Sequence, residues 1–249
     1  MHIDFHTHAN LSKKINVSLE TFKEKMQEAK ESGLTALAIT EHFNATNIIE
    51  LYETLKEEFP YEKDYYEIEG MKVFCGLEVD VKENGHFLVI GSRDDILTIA
   101  RLLLPFHDKD AYIPVKDLLT LLADFNVIKI GAHPLRESTP WHHHEPAVLQ
   151  QFDAYDLNGK DLFTFGRDIE EKVRSFAAQY EIPVVGGSDT HQHFQYGSIV
   201  NVFPECDSID ELREAIQQRN YNTEVSPCLE VKVKAATHVK KMIKGKTLV

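Results

Sequence analysis

Short apolar runs alternate with amphipathic stretches along almost the whole chain, and polar clusters punctuate the ends of the apolar runs. Residues 1–5 predict a short strand, and the polar run 9–17 predicts a loop. Ser18 predicts a helix N-cap with Glu20 in the first turn. Leu19, Phe22, Met26 and Ala29 then recur at helical spacing until Gly33 ends the element. Residues 35–40 read as a buried strand and 46–58 as a helix carrying Ile49, Leu51, Tyr52 and Leu55. The acidic, aromatic stretch 59–69 predicts irregular structure. Residues 72–81 and 86–90 predict two strands joined through Asn84-Gly85, a strong hairpin turn. A helix is expected over 94–104. Another starts at Pro114 in its first turn, with Val115, Leu118, Leu119, Leu122 and Phe125 on one face. Residues 127–132 are a buried strand, followed by a long polar loop over 135–145. Strands are expected at 154–157 and 182–185, with 199–203 as the last. A helix covers 167–180, and Ser208-Ile209-Asp210-Glu211 forms a capping box for a helix ending near Arg219. Residues 234–244 predict a basic helix.

This order is mostly strand, helix, strand, helix, with about seven strands, which indicates a largely parallel sheet in an α/β fold. No linker rich in Gly, Pro or Ser interrupts it, so residues 1–249 are expected to form one domain, with 230–249 as a basic tail. Polar clusters follow successive strands. In a βα barrel the strand C-termini share one face, and that face holds the site. The clusters at 6–8, 41–42, 78, 86, 133, 158–160 and 189–191 are therefore expected to converge.

Charge and cysteine content narrow the partners. The net charge is −13, and residues 1–229 carry 21 basic against 39 acidic side chains. Such a body argues against DNA or an anionic membrane as the main partner, because both need a basic face. It would also repel a phosphate unless metal ions or local Lys and Arg reverse the field. Cys75, Cys206 and Cys228 are distant in sequence and odd in number, which suggests reduced thiols and a cytoplasmic protein. No presequence and no transmembrane run is expected. The sequence is silent on oligomeric state.

The candidate chemistry is metal binding. His6 and His8 stand two apart on an extended segment, where period-2 alternation places both on one face. With His42, Glu78, His86, His133, Asp189 and His191 they make six imidazoles and two carboxylates without a cysteine. That set suits Zn²⁺, Mn²⁺ or Fe²⁺, and it is too large for one ion and sufficient for two or three. Glu78 is placed to bridge.

The motifs His6-Thr7-His8, Thr40-Glu41-His42, Gly76-Leu77-Glu78, His86 with its following FLVIG run, Ala132-His133-Pro134 and Ser188-Asp189-Thr190-His191 together resemble those of the PHP (polymerase and histidinol phosphatase) family. The resemblance runs in family order from residue 6 to about 200. It implies a distorted (β/α)7 barrel with a trinuclear metal site. It further implies metal-dependent hydrolysis of a phosphate ester, on a small phosphorylated metabolite or nucleotide, by a hydroxide bridging the ions. His6, His8, Glu78 and Asp189 would hold one ion, Glu78, His86 and His133 a second, and His42 and His191 would contribute to a third. Two departures stand out. The family places another ligand shortly after the first histidine pair, where this chain has Lys13, and Glu41 stands where the family has Asp.

Other residues carry a functional reading beside a plain one. Arg136 can clamp a phosphate and stabilise the developing charge, or face solvent. Lys13 and Lys160 can contact a substrate phosphate or be surface charges. Among His142, His143 and His144, one ring, His143, is a candidate substrate contact, against an exposed cluster. His193 can protonate a leaving group. The tail lysines read as a solvated helical face. An amidohydrolase-type metal hydrolase and a degenerate metal-binding regulatory domain are the alternatives.

Overall fold

The structure is a computed structural model that describes residues 1–243. In chain order its elements are β1 (His2–Thr7), α1 (Leu19–Glu31), β2 (Ala36–His42), α2 (Ile48–Glu58), β3 (Tyr61–Glu62), β4 (Tyr65–Ile68), β5 (Met71–Asp80), β6 (His86–Gly91), α3 (Arg93–Leu102), α4 (Val115–Leu122), β7 (Val127–Ala132), α5 (Pro146–Leu149), β8 (Ala154–Asn158), α6 (Gly159–Phe165), α7 (Asp168–Ala178), β9 (Val184–Gly187), β10 (Ile199–Val202), α8 (Ile209–Gln217), β11 (Asn222–Val225) and α9 (Leu229–Ile243).

One sheet runs in the order β11-β10-β1-β2-β5-β6-β7-β8-β9. The segment after β9 returns to β1, where the Asp189 N–H donates to His6 O at 2.9 Å and the His8 N–H to Thr190 O at 2.8 Å. The stretch from β1 to β9 is therefore a nearly closed, distorted barrel of seven strands, as the resemblance implied. β1, β2 and β5 are mutually parallel, as are β7, β8 and β9. β6 is antiparallel to both its neighbours, β5 and β7. Being reversed, β6 begins where its neighbours end, which brings His86 to the same rim as the other clusters.

Alternation on the strands divides the core. Ile3, Phe5, Ala36, Ala38, Phe74, Leu88, Ile90, Ile130, Ala154 and Val185 fill one cluster with α8 residues Ile209, Leu212 and Ile216. Their neighbours Leu37, Ile39, Val73, Leu77, Val89, Tyr155 and Leu157 pack in a second cluster with the surrounding helices. On the first set the side chains turn polar toward one rim, through Phe74–Gly76–Glu78, Ile90–Leu88–His86 and Ala154–Asp156–Asn158. β1 reaches that rim through a bulge. Asp4 pairs with Leu37 and Thr7 with Ile39, so β1 spends three steps against two of β2.

Several expected boundaries change. Residues 59–69 are not irregular: β3 and β4 form a hairpin whose turn holds Lys63 at φ 48°, a conformation the lysine does not advertise. The strand at 199–203 is not the last. β11 follows it as a terminal strand of polar, half-exposed residues with no apolar run to announce it. Pro114 is the N-cap of α4, not its first turn. The polar cluster that ends the strand at 154–157 also opens a helix not expected there, α6, with the Asn158 side chain accepting from Lys160 N at 3.0 Å. The basic helix begins earlier than expected, at Leu229, and Lys244 and Lys246 lie outside the described residues. None of the described helices is long and apolar enough to cross a membrane.

Candidate metal centre

All eight candidate ligands meet at one rim of the barrel. Glu78, on β5 and 2% exposed, lies at the centre. Its Oε1 is 2.6 Å from His86 Nδ1, 3.4 Å from His133 Nε2 and 3.5 Å from His6 Nε2. Its Oε2 is 2.8 Å from His42 Nδ1 and 3.6 Å from His8 Nε2. Asp189 Oδ1 faces His8 Nε2 at 3.5 Å, His191 Nδ1 at 3.6 Å and His6 Nε2 at 3.9 Å. The rings of His8 and His191 stack at 4.1 Å. Three groups have donor atoms close enough for a shared ion: His6, His8 and Asp189; Glu78, His86 and His133; and His8, His42 and His191. The third group closes without any contribution from position 13.

The donors fit a cation. His6 Nε2 and both nitrogens of His8 are buried without a hydrogen-bond partner, and His42 Nδ1 and Glu78 Oε2 have only each other, at 2.8 Å and without hydrogen-bond geometry. Buried polar atoms are almost always paired, so such a set aimed at common points needs a positive charge between them. Nitrogen and carboxylate oxygen donors without thiolate suit Zn²⁺, Mn²⁺ or Fe²⁺. Two of these residues hold strained backbone, His133 at φ 32° and Asp189 at φ 57°. Such conformations persist only where the surroundings fix them, and they cluster at functional sites.

The proton equilibria follow from the same packing. Burial alone would lower His6, but Asp156 and Glu78 raise it well above the usual imidazole range. Burial also opposes His86, yet the Glu78 charge and the Asp80 hydrogen bond push it up to about 9. His133 and His191 go the other way, held well below the usual range by burial, then by the charges of Arg136 and His8 respectively. Glu78 and Asp189 are pressed upward by burial, but their histidine neighbours hold both well below the carboxylate range.

A ring of supporting groups went unread in the sequence. Asp156 Oδ2 accepts from His6 Nδ1 at 3.0 Å and from Asn158 Nδ2 at 2.9 Å. Asp4 Oδ1 accepts from the backbone N–H of His6 and of Ser188. Glu41 accepts from the N–H of Asn10 and of His42, and lies 3.5 Å from His8 Nδ1. Asp80 Oδ1 is 2.9 Å from His86 Nε2. A carboxylate behind a ligating imidazole fixes its tautomer and orientation. Lys25 is the least expected member. Its ammonium, on α1 and buried, donates to the carbonyls of His8, Ala9 and His191 and so joins the two ligand-bearing loops. Burial brings it down to about 8. Alternation could have flagged Asp156, two residues before Asn158. Nothing in the local pattern flags Lys25.

Several of the substrate and catalytic candidates have partners within the protein. Arg136 is neither solvent-facing nor an open phosphate clamp. It donates to Asp161 at 2.8 Å, Asn158 at 2.9 Å and Asp189 Oδ2 at 3.3 Å, and so positions Asp189. His143 donates to Glu83 O at 2.6 Å and His144 to Asn84 O at 3.2 Å, while Trp141 Nε1 donates to His86 O. The 141–144 run therefore secures the β5–β6 turn. His193 packs on Phe194 at 4.0 Å and is absent from the cavity lining. Lys13 pairs with Asp80 at 2.7 Å. Lys160 does line a cavity of about 300 Å³ that opens on Asp189 and His191. The tail lysines are not all a solvated face, since Lys240 and Lys241 of α9 line the same cavity.

Comparison with known proteins gives this centre its context. PsfC from Pseudomonas syringae superposes with a TM-score of 0.80 at 19% identity, over 97% of this chain and 98% of that one. The lesion-specific endonuclease PfuEndoQ from Pyrococcus furiosus gives 0.65 at 18% identity, over 88% of this chain and 56% of its own. A two-domain protein from Bacteroides vulgatus, containing a predicted PHP-like metal-dependent phosphoesterase, gives 0.58 at 19% identity, over 90% and 64%. At these identities the likeness is one of fold. No curated protein sequence matches the chain. The PHP domain profile matches residues 4–154 and a PHP-associated profile matches 170–221. With more than half of its residues inside the first profile, the chain belongs to the PHP domain family, whose members bind divalent metals on a phosphoesterase-like fold.

Proposed function

We propose that this chain is one PHP-like domain that hydrolyses a phosphate ester with two or three divalent ions of Zn, Mn or Fe. The observation that carries the reading is the set of buried, unpaired imidazole and carboxylate atoms converging on Glu78 and Asp189. In this reading His6, His8 and Asp189, then Glu78, His86 and His133, then His8, His42 and His191, hold the ions, with Glu78 reaching all three sets. When bound, the ions supply charge against the phosphoryl oxygens and acidify water.

The chain's own residues do the rest. Arg136 holds Asp189 against Asp161 and Asn158, so the carboxylate cannot swing away from the imidazoles. Asp156 keeps His6 presenting Nε2 by accepting a hydrogen bond from its Nδ1. Lys25 ties the loop after β1 to the loop after β9, which fixes the spacing of His8 and His191. Lys160 lines the adjoining cavity and offers an ammonium to substrate oxygens. Lys13, neutralised by Asp80, is left as a minor contact at most. Three free thiols, two of them buried, support a cytoplasmic setting.

The net charge does not bar a polynucleotide, since an endonuclease is built on the same fold. The test is therefore metal analysis of the purified protein with a screen of phosphate monoesters, diesters and oligonucleotide ends. Bound transition metal and chelator-sensitive turnover of at least one ester are expected. Less than one ion per chain, or turnover of amides in place of esters, would overturn the reading.

A further inference from the structure

The connection from β9 to β10 carries a side chain that reaches back to both of the candidate ligands before it. Gln195, in the turn at 193–195, is 6% exposed. Its Oε1 accepts from the backbone N–H of His191 at 3.1 Å and of Gln192 at 3.3 Å. Its Nε2 donates to the carbonyl of Asp189 at 3.1 Å, an oxygen that His191 Nδ1 also approaches, at 3.2 Å. One planar amide therefore brackets the segment Asp189-Thr190-His191. Asp189 stands at φ 57°, a left-handed conformation that persists only where the surroundings impose it. β1 takes its N–H through His6 O, Arg136 takes its side chain, and Gln195 takes its carbonyl. The turn that carries Gln195 is itself anchored. Gln192 and Gln195 form a reciprocal capping box. α9 lies against the turn, with Val233 buried and Lys232 donating to Tyr196 O at 2.8 Å.

Among the described residues, Asp189 and His191 belong to two of the three donor groups, one with His6 and His8 and one with His8 and His42. The third group, Glu78, His86 and His133, is carried by β5, β6 and the end of β7. We infer that Gln195 is a positioning residue that sets the affinity of the first two ion sites and leaves the third to itself. The place demands an amide, with an acceptor for two N–H groups and a donor for a carbonyl in one plane. A methionine of similar length offers neither. A glutamate keeps the acceptor but turns a second acceptor toward the Asp189 carbonyl. Without Gln195 the 189–191 segment relaxes from its left-handed turn, and the carboxylate and imidazole it carries leave the points they share with His6, His8 and His42. A small relaxation is enough, because such constellations work within about 0.5 Å of their productive geometry. The inference deepens the reading given above and rests on it for the ions, not for the ester.

The test compares wild type with Q195M, Q195E and L212A, each stripped of metal and reloaded with Co²⁺ alone. Leu212, buried on α8 in the other apolar cluster, makes L212A a control for stability lost away from the ligands. Co²⁺ absorption against a competing chelator reads the stepwise affinities, elemental analysis counts the ions, and denaturant unfolding reads stability. Q195M is expected to weaken the ions held through Asp189 and His191 about tenfold or more, while one ion stays within about twofold of wild type. Adding H133A to Q195M should remove that remaining ion, which assigns it to Glu78, His86 and His133. The added charge of Q195E would by itself draw cations closer, so a loss at the same ions in this variant is the sterner result. Q195E also decides the matter if Q195M does not fold. L212A should unfold more easily and keep its ions. Equal weakening of every ion, unchanged affinity in Q195M or Q195E, or the same selective loss in L212A overturns the inference. Failure of both Gln195 variants to fold also overturns it, because the role is then structural. Ester turnover by the wild type is scored separately. If wild type turns over no ester and Q195M still loses its ions selectively, the positioning role stands and the hydrolase reading falls. If wild type turns over an ester and Q195M binds metal as wild type does, the reverse holds.

Discussion

Single residues at this site are fixed by what stands behind them. Asp156 contributes no atom to the three donor groups, yet it accepts a hydrogen bond from His6 Nδ1 and touches the backbone N–H of His133 at 3.4 Å. D156N keeps the shape but offers a donor where an acceptor is needed. It is expected to weaken metal affinity about 10- to 100-fold with the fold intact, as loss of a carboxylate behind a ligating histidine does elsewhere. A competitive chelator titration measures this. His107 supplies a pH effect clear of the candidate ligands. Its Nε2 is buried without a partner, its ring packs on Phe43, and the nearest charge opposing the effect is Asp108. Burial lowers its pKa below the ordinary 6.5. The unfolded chain then binds the proton more readily, so this contribution to stability is full above 6.5 and is lost as pH falls from there through the lower value of the folded state. Melting curves at about pH 7.5 and about pH 5.5 should show a larger drop for wild type than for H107N.

At the level of elements, the close approach of β9 to β1 decides whether the site exists. A Cβ at Gly187 would collide with the His6 Cβ and with Asp156 Oδ1. G187A is therefore expected to lose about 1–3 kcal/mol by overpacking and to release metal. Denaturant unfolding and metal analysis check the two parts separately. The β5–β6 hairpin was legible from Asn84-Gly85, but its register was not: a two-residue turn there would pair Glu83 with His86, whereas Asp80 stands opposite His86 and residues 81–85 form the connection. What covers it was not legible. Trp141 is fully buried over Gly85, and the histidines beside it read as a substrate contact or an exposed cluster because their carbonyl partners, Glu83 and Asn84, lie 60 residues away in the chain. W141A should cost about 3–5 kcal/mol as a buried aromatic truncation, measured by the same unfolding. Removing the His143 ring should leave KM for any ester unchanged.

On the scale of the whole molecule, metal and fold are coupled, because the ions would pair atoms that are otherwise buried and unsatisfied. An ion at about 100-fold excess over its Kd adds about 2.7 kcal/mol. Chelation is therefore expected to lower Tm by about 5–10 °C for a chain of this size, read by calorimetry with and without added metal. The sequence by itself indicated a largely parallel α/β sheet, through apolar runs alternating with amphipathic stretches, and the resemblance of its motifs to the PHP family implied the distorted barrel. It also determined the convergence of His6, His8, His42, Glu78, His86, His133, Asp189 and His191, because each follows or opens a strand and strand ends share a rim. The alternation of strands and helices follows from periodicity, which is local, and the barrel from the order of the motifs. Only the tertiary structure decided what distant side chains do to one another. It placed Arg136 against Asp161, Asn158 and Asp189, and Lys13 against Asp80. It brought Lys25 beneath two loops, and Lys240 and Lys241 from a basic tail to the wall of the cavity. Those outcomes depend on which unlike charges and carbonyls the fold leaves within reach, a long-range consequence of closing the sheet that spacing along the chain does not contain.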